Sequence, residues 1–297
     1  MSELVPFVSV AADADRWKRY RPRPDDLVIA TAVKSGTTLT QMLCALLIFD
    51  GPDFPAPMDD MSPWFDMVTR SDDEVLALIE AQRHRRFLKT HTPLDAIELH
   101  DAVTYVAVVR DPRDVFVSWT HHMANMDTAN LFQAIDESGK TEHFFANFEQ
   151  PADDVDEFDH WMLDDRPGSQ NTLRLVLRQA QSAWERRDRP NVCLLHYADM
   201  RTDIEGAMRA IADTAGIDAS DARLAELAAH AGIDRMRARG GDLAPNTKGI
   251  FTDPVAFFRS GTGGEWREQI SDAQHERYWE RVRELCDDDL SAWLHRA

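Results

Sequence analysis

Residues 27–39 read LVIATAVKSGTTL, a sequence that joins an apolar run of strand type to the start of a helix. After this turn, apolar residues recur with helical spacing at Leu39, Met42, Leu43, Leu46 and Leu47. Gly36 lets the backbone approach an anion closely, the free N–H groups of a helix start attract it, and Lys34 adds a full positive charge. The sequence therefore predicts a phosphate-binding turn between a buried strand and a helix.

The order of residues in this turn differs from that of a Walker A loop. In G-x-x-x-x-G-K-[ST] the lysine follows the last glycine, whereas Lys34 precedes Ser35 and Gly36. This order disfavours a P-loop kinase or NTPase. The form K-S-G-T-T resembles the 5′-phosphosulfate-binding loop of the sulfotransferases that use 3′-phosphoadenosine 5′-phosphosulfate (PAPS). Taken alone, the segment is also compatible with an ordinary strand-to-helix turn.

Three further segments resemble the same family, and they occur in the family's order. Residues 89–93 read KTHTP and resemble K-T-H-x-P, and residues 106–118 read VAVVRDPRDVFVS and resemble R-[ND]-P-[KR]-D-V-x-V-S. Residues 258–267 read FRSGTGGEWR and resemble R-K-G-x-x-G-D-W-K. The four segments together span nearly the whole chain. On these motifs the chain is identified as a member of the cytosolic PAPS-dependent sulfotransferase family.

The resemblance implies a P-loop-like sulfotransferase fold in one domain over residues 1–297, an α/β structure with a central, mostly parallel sheet flanked by helices. Strand-like runs support it at Leu27–Val33, Arg86–Thr90, Thr104–Val109 and Val192–His196, and a helical stripe lies over Leu173–Trp184. Lys34, His91 and Arg110 each follow a strand. We expect them to meet, because ligands of open α/β sheets bind at the carboxyl ends of the strands.

The resemblance also implies a role for each matching residue. His91 is expected to be the general base that takes the proton of an acceptor hydroxyl, with Lys34 and Lys89 stabilising charge on the transferring group. The donor and its product, 3′-phosphoadenosine 5′-phosphate (PAP), are expected to contact the residues Lys34, Ser35, Gly36, Thr37, Thr38, Leu39, Arg110, Ser118, Tyr197, Arg259, Ser260 and Gly261. Neither this chemistry nor the acidic clusters call for a metal ion, so we predict none.

The chain departs from the family pattern at three places. Leu39 replaces a tryptophan near the adenine, and Ser260 replaces the lysine of R-K-G. Residues 267–276 only partly resemble the family's dimerisation segment, so a homodimer is one expectation and a monomer the other. The changes at Leu39 and Ser260 support an alternative function, that of a non-catalytic nucleotide-binding module. The presence of Lys34, Lys89 and His91 together favours catalysis.

The composition limits partners and location. The chain has 297 residues, of which 33 are basic and 52 acidic, and its formal net charge of −19 disfavours nucleic acid and anionic membranes as partners. The positive charge needed for the donor is therefore expected to be local, at Lys34, Lys89, Arg110, Arg113, Arg259 and Arg267. The three cysteines form no CxxC pair, and no signal peptide or long apolar run is present. We expect a cytoplasmic protein without a membrane span.

Two segments are candidates for walls around a small hydroxyl-bearing acceptor. Residues 125–170 hold 12 acidic and 2 basic residues with interspersed aromatics, which is compatible with a solvated insertion or with a mobile lid. Residues 51–65 are rich in proline and are a second candidate wall. The acidic surface argues against a polyanionic glycosaminoglycan acceptor but does not distinguish phenols, steroids, glycolipids and other alcohols.

Overall fold

The sheet is entirely parallel in the part of the chain that the structure describes. The computed structural model describes residues 4–148, 156–245, 248–258 and 263–296. Four strands, β1 (Leu27–Thr31), β2 (Phe87–Thr90), β3 (Thr104–Val109) and β4 (Val192–His196), are ordered β2-β1-β3-β4, and every neighbouring pair is parallel. The predicted α/β class is confirmed.

Helices connect and cover the strands. After a 3₁₀ helix at Ala14–Arg19, the helices are α1 (Thr37–Phe49), α2 (Met58–Met61), α3 (Asp72–Ala81), α4 (Pro112–Ala124), α5 (Thr128–Glu137), α6 (Thr141–Asn147), α7 (Glu157–Leu163), α8 (Leu173–Trp184), α9 (Tyr197–Thr202), α10 (Ile204–Ala215), α11 (Asp221–Ala228), α12 (Ile233–Ala238), α13 (Gly240–Leu243), α14 (Trp266–Gln269), α15 (Asp272–Leu285) and α16 (Asp288–Leu294).

The alternation of side chains along the strands divides the core between two helical layers. Leu27 and Ile29 of β1 pack into the layer that contains α1 and α10, whereas Val28 and Ala30 pack into the opposite face. Both faces of β1 are therefore covered, which explains why its sequence is an uninterrupted apolar run. Truncation of a buried α1 residue such as Leu43 to alanine should cost about 2–5 kcal/mol of stability.

Two boundaries differ slightly from the sequence prediction. β1 ends at Thr31 rather than Val33, because the chain turns through Lys34 and Gly36, whose φ angles are 66° and 104°. β2 begins at Phe87, one residue after Arg86, whose guanidinium forms an ion pair with Asp26. The other two strands and α8 have the predicted bounds.

Neither a disulfide nor a membrane-spanning helix occurs among the described residues. Cys44, Cys193 and Cys286 are free thiols. Among the described residues, no helix is both long enough and apolar enough to cross a membrane.

Candidate active site

A cavity of about 370 Å³ opens at the carboxyl ends of β1, β2 and β3. Most of the predicted site residues line it, namely Lys34, Gly36, Thr37, Thr38, Leu39, Lys89, His91, Arg110, Ser118 and Tyr197. Ser35 is fully buried in the turn itself. Arg259, Ser260 and Gly261 lie outside the described residues. The fold thus brings together residues that are far apart in the sequence.

The turn between β1 and α1 favours a glycine at position 36. Gly36 has a φ of 104°, and a Cβ atom there would lie 2.6 Å from Cδ2 of Tyr197. Both the backbone conformation and the packed ring therefore disfavour a larger residue. Gly36 is also the N-cap of α1, so no side chain at the cap accepts from the amides of the first helical turn. These amides lie at the positive end of the helix.

Three hydroxyl groups lie around this turn, those of Thr31, Ser35 and Thr37. Thr31 and Thr37 join the strand end to the helix start through a hydrogen bond of 2.6 Å between their Oγ1 atoms. Ser35 Oγ is buried and has no hydrogen-bond partner among the described residues. A buried hydroxyl without a partner is costly, and a ligand oxygen would satisfy it. The turn therefore has the donors that a phosphate or phosphosulfate group needs.

Arg110, the residue after β3, contacts the turn between β1 and α1. Its Nη1 donates to the backbone oxygen of Lys34 at 3.2 Å, and its guanidinium lies 4.6 Å from the ring centroid of Tyr197. Ser118 lies further along α4, which begins with Pro112. Arg110 and Ser118 line the same cavity, so both are available to one ligand.

His91 is held as a neutral imidazole in a defined tautomer. Its Nδ1 lies 2.7 Å from the backbone oxygen of Thr31. A carbonyl oxygen can only accept, so Nδ1 carries the proton and Nε2 keeps its lone pair. Burial and the positive charges of Lys89 and Lys34 lower the pKa of His91 to about 3, although the bond to Thr31 opposes this shift. His91 is therefore able to accept a proton at Nε2.

Lys89 is buried beside His91 and is close to a carboxylate. Its Nζ lies 3.6 Å from Oδ1 of Asp59, and burial lowers the pKa of Lys89 while Asp59 opposes the effect. Residues 63–65 run alongside β2, since Lys89 exchanges backbone hydrogen bonds with Pro63 and Phe65. This pairing places Trp64 with its ring 4.4 Å from that of His91. The 51–65 segment thus contributes a wall of the cavity beside His91.

Asp66 supports the His91 loop, and sequence reasoning missed it. Its buried carboxylate accepts hydrogen bonds from Thr90 and Thr92, each at 2.6 Å, and from the indole N–H groups of Trp17 and Trp64 at 2.8 and 2.7 Å. Thr90 and Thr92 are the neighbours of His91 in the chain. Four donors to one carboxylate fix the backbone on both sides of the imidazole.

Comparisons with known proteins agree with this geometry. A sequence model of the sulfotransferase domain matches residues 24–289. The chain belongs to the sulfotransferase family. It is 40% identical to a glycolipid sulfotransferase of Mycobacterium bovis over 312 residues, which cover 99% of this chain and 95% of that protein. It is also 40% identical to a glycolipid sulfotransferase of Mycobacterium tuberculosis, with the same coverage. The predicted sulfotransferase function is confirmed.

A solved structure of similar fold is that of retinol dehydratase in a complex with retinol and PAP. It superposes with a TM-score of 0.70 and 24% sequence identity, covering 93% of this sulfotransferase and 85% of the retinol dehydratase chain. At that identity the similarity concerns the fold alone. It confirms the predicted sulfotransferase fold.

Part of the cavity wall is apolar. It is formed by side chains of α5 and α6 and of the connections between α2 and α3, between α4 and α5, and between α13 and α14, namely Val68, Met126, Leu131, Ile135, Phe144, Ile250 and Phe251. Residues 125–148 of this sulfotransferase thus form helices that contribute to the cavity wall. That residues 125–170 move as a lid stays a prediction.

Two of the expected cationic residues do not face the cavity of the sulfotransferase. Arg113 forms an ion pair with Asp111 at 2.6 Å, and its guanidinium lies 3.7 Å from the ring centroid of Trp266. Arg267 packs over the same indole, at 4.6 Å. Arg113 therefore stabilises the junction of α4 with α14. Arg70, Arg201 and Lys248, which sequence reasoning did not identify, also line the cavity, and two of them, Arg70 and Lys248, lie 3.8 and 3.6 Å from the carboxylate of Glu74.

The described residues also bear on the expectation about metal ions. In the described part of the chain, no cluster of three or more His, Cys, Asp or Glu side chains could hold a metal ion. The expectation that the sulfotransferase uses no metal stays a prediction.

Proposed function

We propose that this sulfotransferase moves the sulfuryl group of PAPS to a hydroxyl of a small acceptor, with His91 as the general base. One observation supports this most directly. His91, whose Nε2 keeps a lone pair, lines a cavity that also contains Lys34, Lys89 and the phosphate-binding turn. A base, cations and an anion-binding loop in one enclosed space are what an in-line transfer requires.

The proposed step is a direct displacement at sulfur. The acceptor oxygen forms a bond to sulfur as the bond from sulfur to the bridging phosphate oxygen breaks, and the acceptor proton goes to Nε2 of His91. PAP leaves with the electron pair of the broken bond. Lys34 would neutralise the bridging oxygen, and Lys89 would contact the sulfuryl or phosphate oxygens. Both are point charges suited to developing negative charge.

The remainder of the donor would lie along the phosphate-binding turn and α4. The amides at the start of α1, with Ser35, Thr37 and Thr38, are proposed to bind the 5′-phosphosulfate. Arg110 and Ser118 are proposed to hold the 3′-phosphate, together with the resemblance-based residues Arg259, Ser260 and Gly261. Tyr197 and Leu39 would lie against the nucleoside.

We infer that the acceptor is an amphipathic alcohol of the glycolipid type. The relatives that are 40% identical carry the name glycolipid sulfotransferase. Apolar side chains from α5 and α6 line the cavity. An alkyl chain packed there would remove apolar surface from water. A sugar hydroxyl would then lie at the polar centre of the cavity.

The test is transfer of radiolabelled sulfate from PAPS to a panel of glycolipids and simpler alcohols, with wild type and His91→Asn. The asparagine amide is able to keep the donor toward Thr31 but has no group in the place of Nε2. We expect kcat to fall by about 10²–10⁴-fold with PAP affinity nearly unchanged. Near-normal turnover of His91→Asn would exclude His91 as the base. PAP binding without transfer to any acceptor would favour the nucleotide-binding module.

Three expectations stay predictions: the cytoplasmic location, the single domain and the homodimer. In the segment that resembles the family's dimerisation motif, Ser271 forms a capping box with Gln274 at the start of α15. Ser271 thus has a structural role within this chain. Light scattering on the purified protein would distinguish a dimer from a monomer.

A further inference from the structure

A second histidine, His122, lies in the active-site cavity, and no motif singled it out. It is one helical turn beyond Ser118 on α4, so the two side chains share a face of the helix. His122 lines the cavity together with Lys34 and His91. Its ring stacks on Trp119 at 5.4 Å between centroids and lies 4.9 Å from the ring of Phe251. Its orientation is therefore fixed by aromatic packing.

The hydrogen bonding of His122 defines its tautomer. Nδ1 lies 3.4 Å from Nζ of Lys34. An ammonium group can only donate, so Nδ1 keeps its lone pair and Nε2 carries the proton. Burial, and then the positive charges of Lys34 and Lys89, lower the pKa of His122 well below its ordinary value, so the ring is neutral. Among the described residues, Nε2 of His122 has no hydrogen-bond partner.

His91 and His122 therefore have opposite hydrogen-bonding functions in one cavity. His91 donates from Nδ1 to the protein and keeps an acceptor at Nε2, whereas His122 accepts at Nδ1 and keeps a donor at Nε2. Lys34 is a common neighbour, since its charge lowers the pKa of both rings. An acceptor molecule thus meets one group that takes a proton and another that offers a hydrogen bond.

We propose that His122 binds the acceptor by donating from Nε2 to a second oxygen, next to the hydroxyl that His91 deprotonates. The proposal rests on the proposed function of His91. It assigns to the acceptor a chemical class, a vicinal diol or hydroxy ether such as a sugar ring provides. His122 is then a specificity-determining residue, because an alcohol without the second oxygen leaves its N–H group without a partner.

The experiment compares 1-octanol, 1,2-octanediol and 2-methoxy-1-octanol, which share an apolar chain and differ in the second oxygen. For wild type we expect kcat/KM to be about tenfold higher for the diol and the methoxy compound than for 1-octanol. His122→Phe keeps the aromatic packing but removes the N–H group and should abolish this preference. His122→Gln, whose amide is able to donate from a similar position, should restore part of it.

His121→Phe is the matched control, because His121 is the exposed neighbour on α4 and does not line the cavity. It should keep the wild-type preference. The proposal is overturned if wild type shows no preference, in turnover or in binding to the PAP-loaded protein, or if His122→Phe keeps the preference. A failure of His91→Asn to lower turnover of all three alcohols would instead count against the proposed base. PAP affinity of each variant shows that the nucleotide end of the site is folded.

Discussion

His91 combines a low pKa with a proposed role as general base, and the charge of the donor would reconcile the two. In the protein alone, burial and two cationic neighbours hold the pKa of His91 at about 3. A base of that strength would be a poor proton acceptor near neutral pH. The donor is highly anionic, and its sulfuryl and phosphate oxygens would offset the charges of Lys34 and Lys89. The pKa of His91 is therefore expected to rise only when the donor is bound.

The lowered pKa of His91 predicts a pH effect with a defined sign. Because the pKa of His91 is lowered, the free protein should keep a neutral His91 as pH falls through about 6.5, and its imidazole signal should not titrate between about pH 5 and 8. With PAP bound, the pKa should rise. Nitrogen NMR measures both the pKa and the tautomer, and the signal missing from His91→Asn identifies the residue. A pKa near 6.5 without nucleotide, or a protonated Nε2, would contradict the prediction.

Arg110 is expected to discriminate donors by their 3′-phosphate. Charge-assisted contacts are worth roughly 1.5–3 kcal/mol, so Arg110→Ala should weaken PAP binding about tenfold or more. The loss should be smaller for adenosine 5′-phosphosulfate, which lacks that phosphate; what remains should reflect the contact with the Lys34 carbonyl. Arg113→Ala is the control, since Arg113 contacts Asp111 and Trp266 and should leave the ratio of the two affinities unchanged. Calorimetry that shows equal losses would exclude the 3′-phosphate as the ligand of Arg110.

At the scale of elements, the sheet could be predicted and the turns only partly. β3, β4 and α8 have the predicted bounds, because burial of a strand on both faces, or of one helical face, leaves a clear apolar pattern. Asp66 could not be predicted, since its four donors come from three separate segments that only the tertiary fold brings together. His122 had a usable signal, its helical spacing from Ser118.

Gly36, in the turn between β1 and α1, is expected to be required for full PAP affinity. Gly36→Ala should strain the backbone at a φ of 104° and displace the Tyr197 ring that lies 2.6 Å from the new Cβ atom. We expect PAP affinity to fall at least about tenfold and stability to fall by about 1–3 kcal/mol. Gly139→Ala is the control, with a positive φ and nothing within 4 Å. It should lose stability without loss of PAP binding, and a similar loss of binding in both variants would refute the role of the Tyr197 contact.

At the scale of the whole molecule, an acidic protein must attract an anionic donor. The net charge of −19 repels PAPS at long range, so its binding depends on cations gathered at the cavity. Lys34, Lys89 and Arg110 are there, with Arg70, Arg201 and Lys248. The sequence predicted the first three from their motifs. It could not predict the others, because they lie in segments without a recognisable pattern.

The segment of residues 258–267 offers a test of whether cations at the cavity determine PAPS affinity. Phe258 lines the cavity, and the backbone N–H of Gly264 donates to Asp114 of α4 at 2.7 Å, so the residues that flank 259–262 lie near the nucleotide end of the site. By resemblance, Ser260 stands where relatives have a lysine that contacts the 3′-phosphate. Ser260→Lys should therefore raise PAPS affinity by adding a cation close to that phosphate.

The gain should decrease as salt rises, because an ion pair accessible to solvent is screened over about 8–10 Å near physiological ionic strength. PAPS affinity is measured for wild type, Ser260→Lys and Ala222→Lys across an ionic-strength series. Ala222 is exposed on α11 and does not line the cavity, so its lysine adds the same net charge without the local contact. If Ser260→Lys binds PAPS no better than Ala222→Lys at any salt concentration, position 260 does not face the nucleotide. The assignment of Arg259, Ser260 and Gly261 to the 3′-phosphate site would then be withdrawn, while that of Arg110 and Ser118 would stand on its own test.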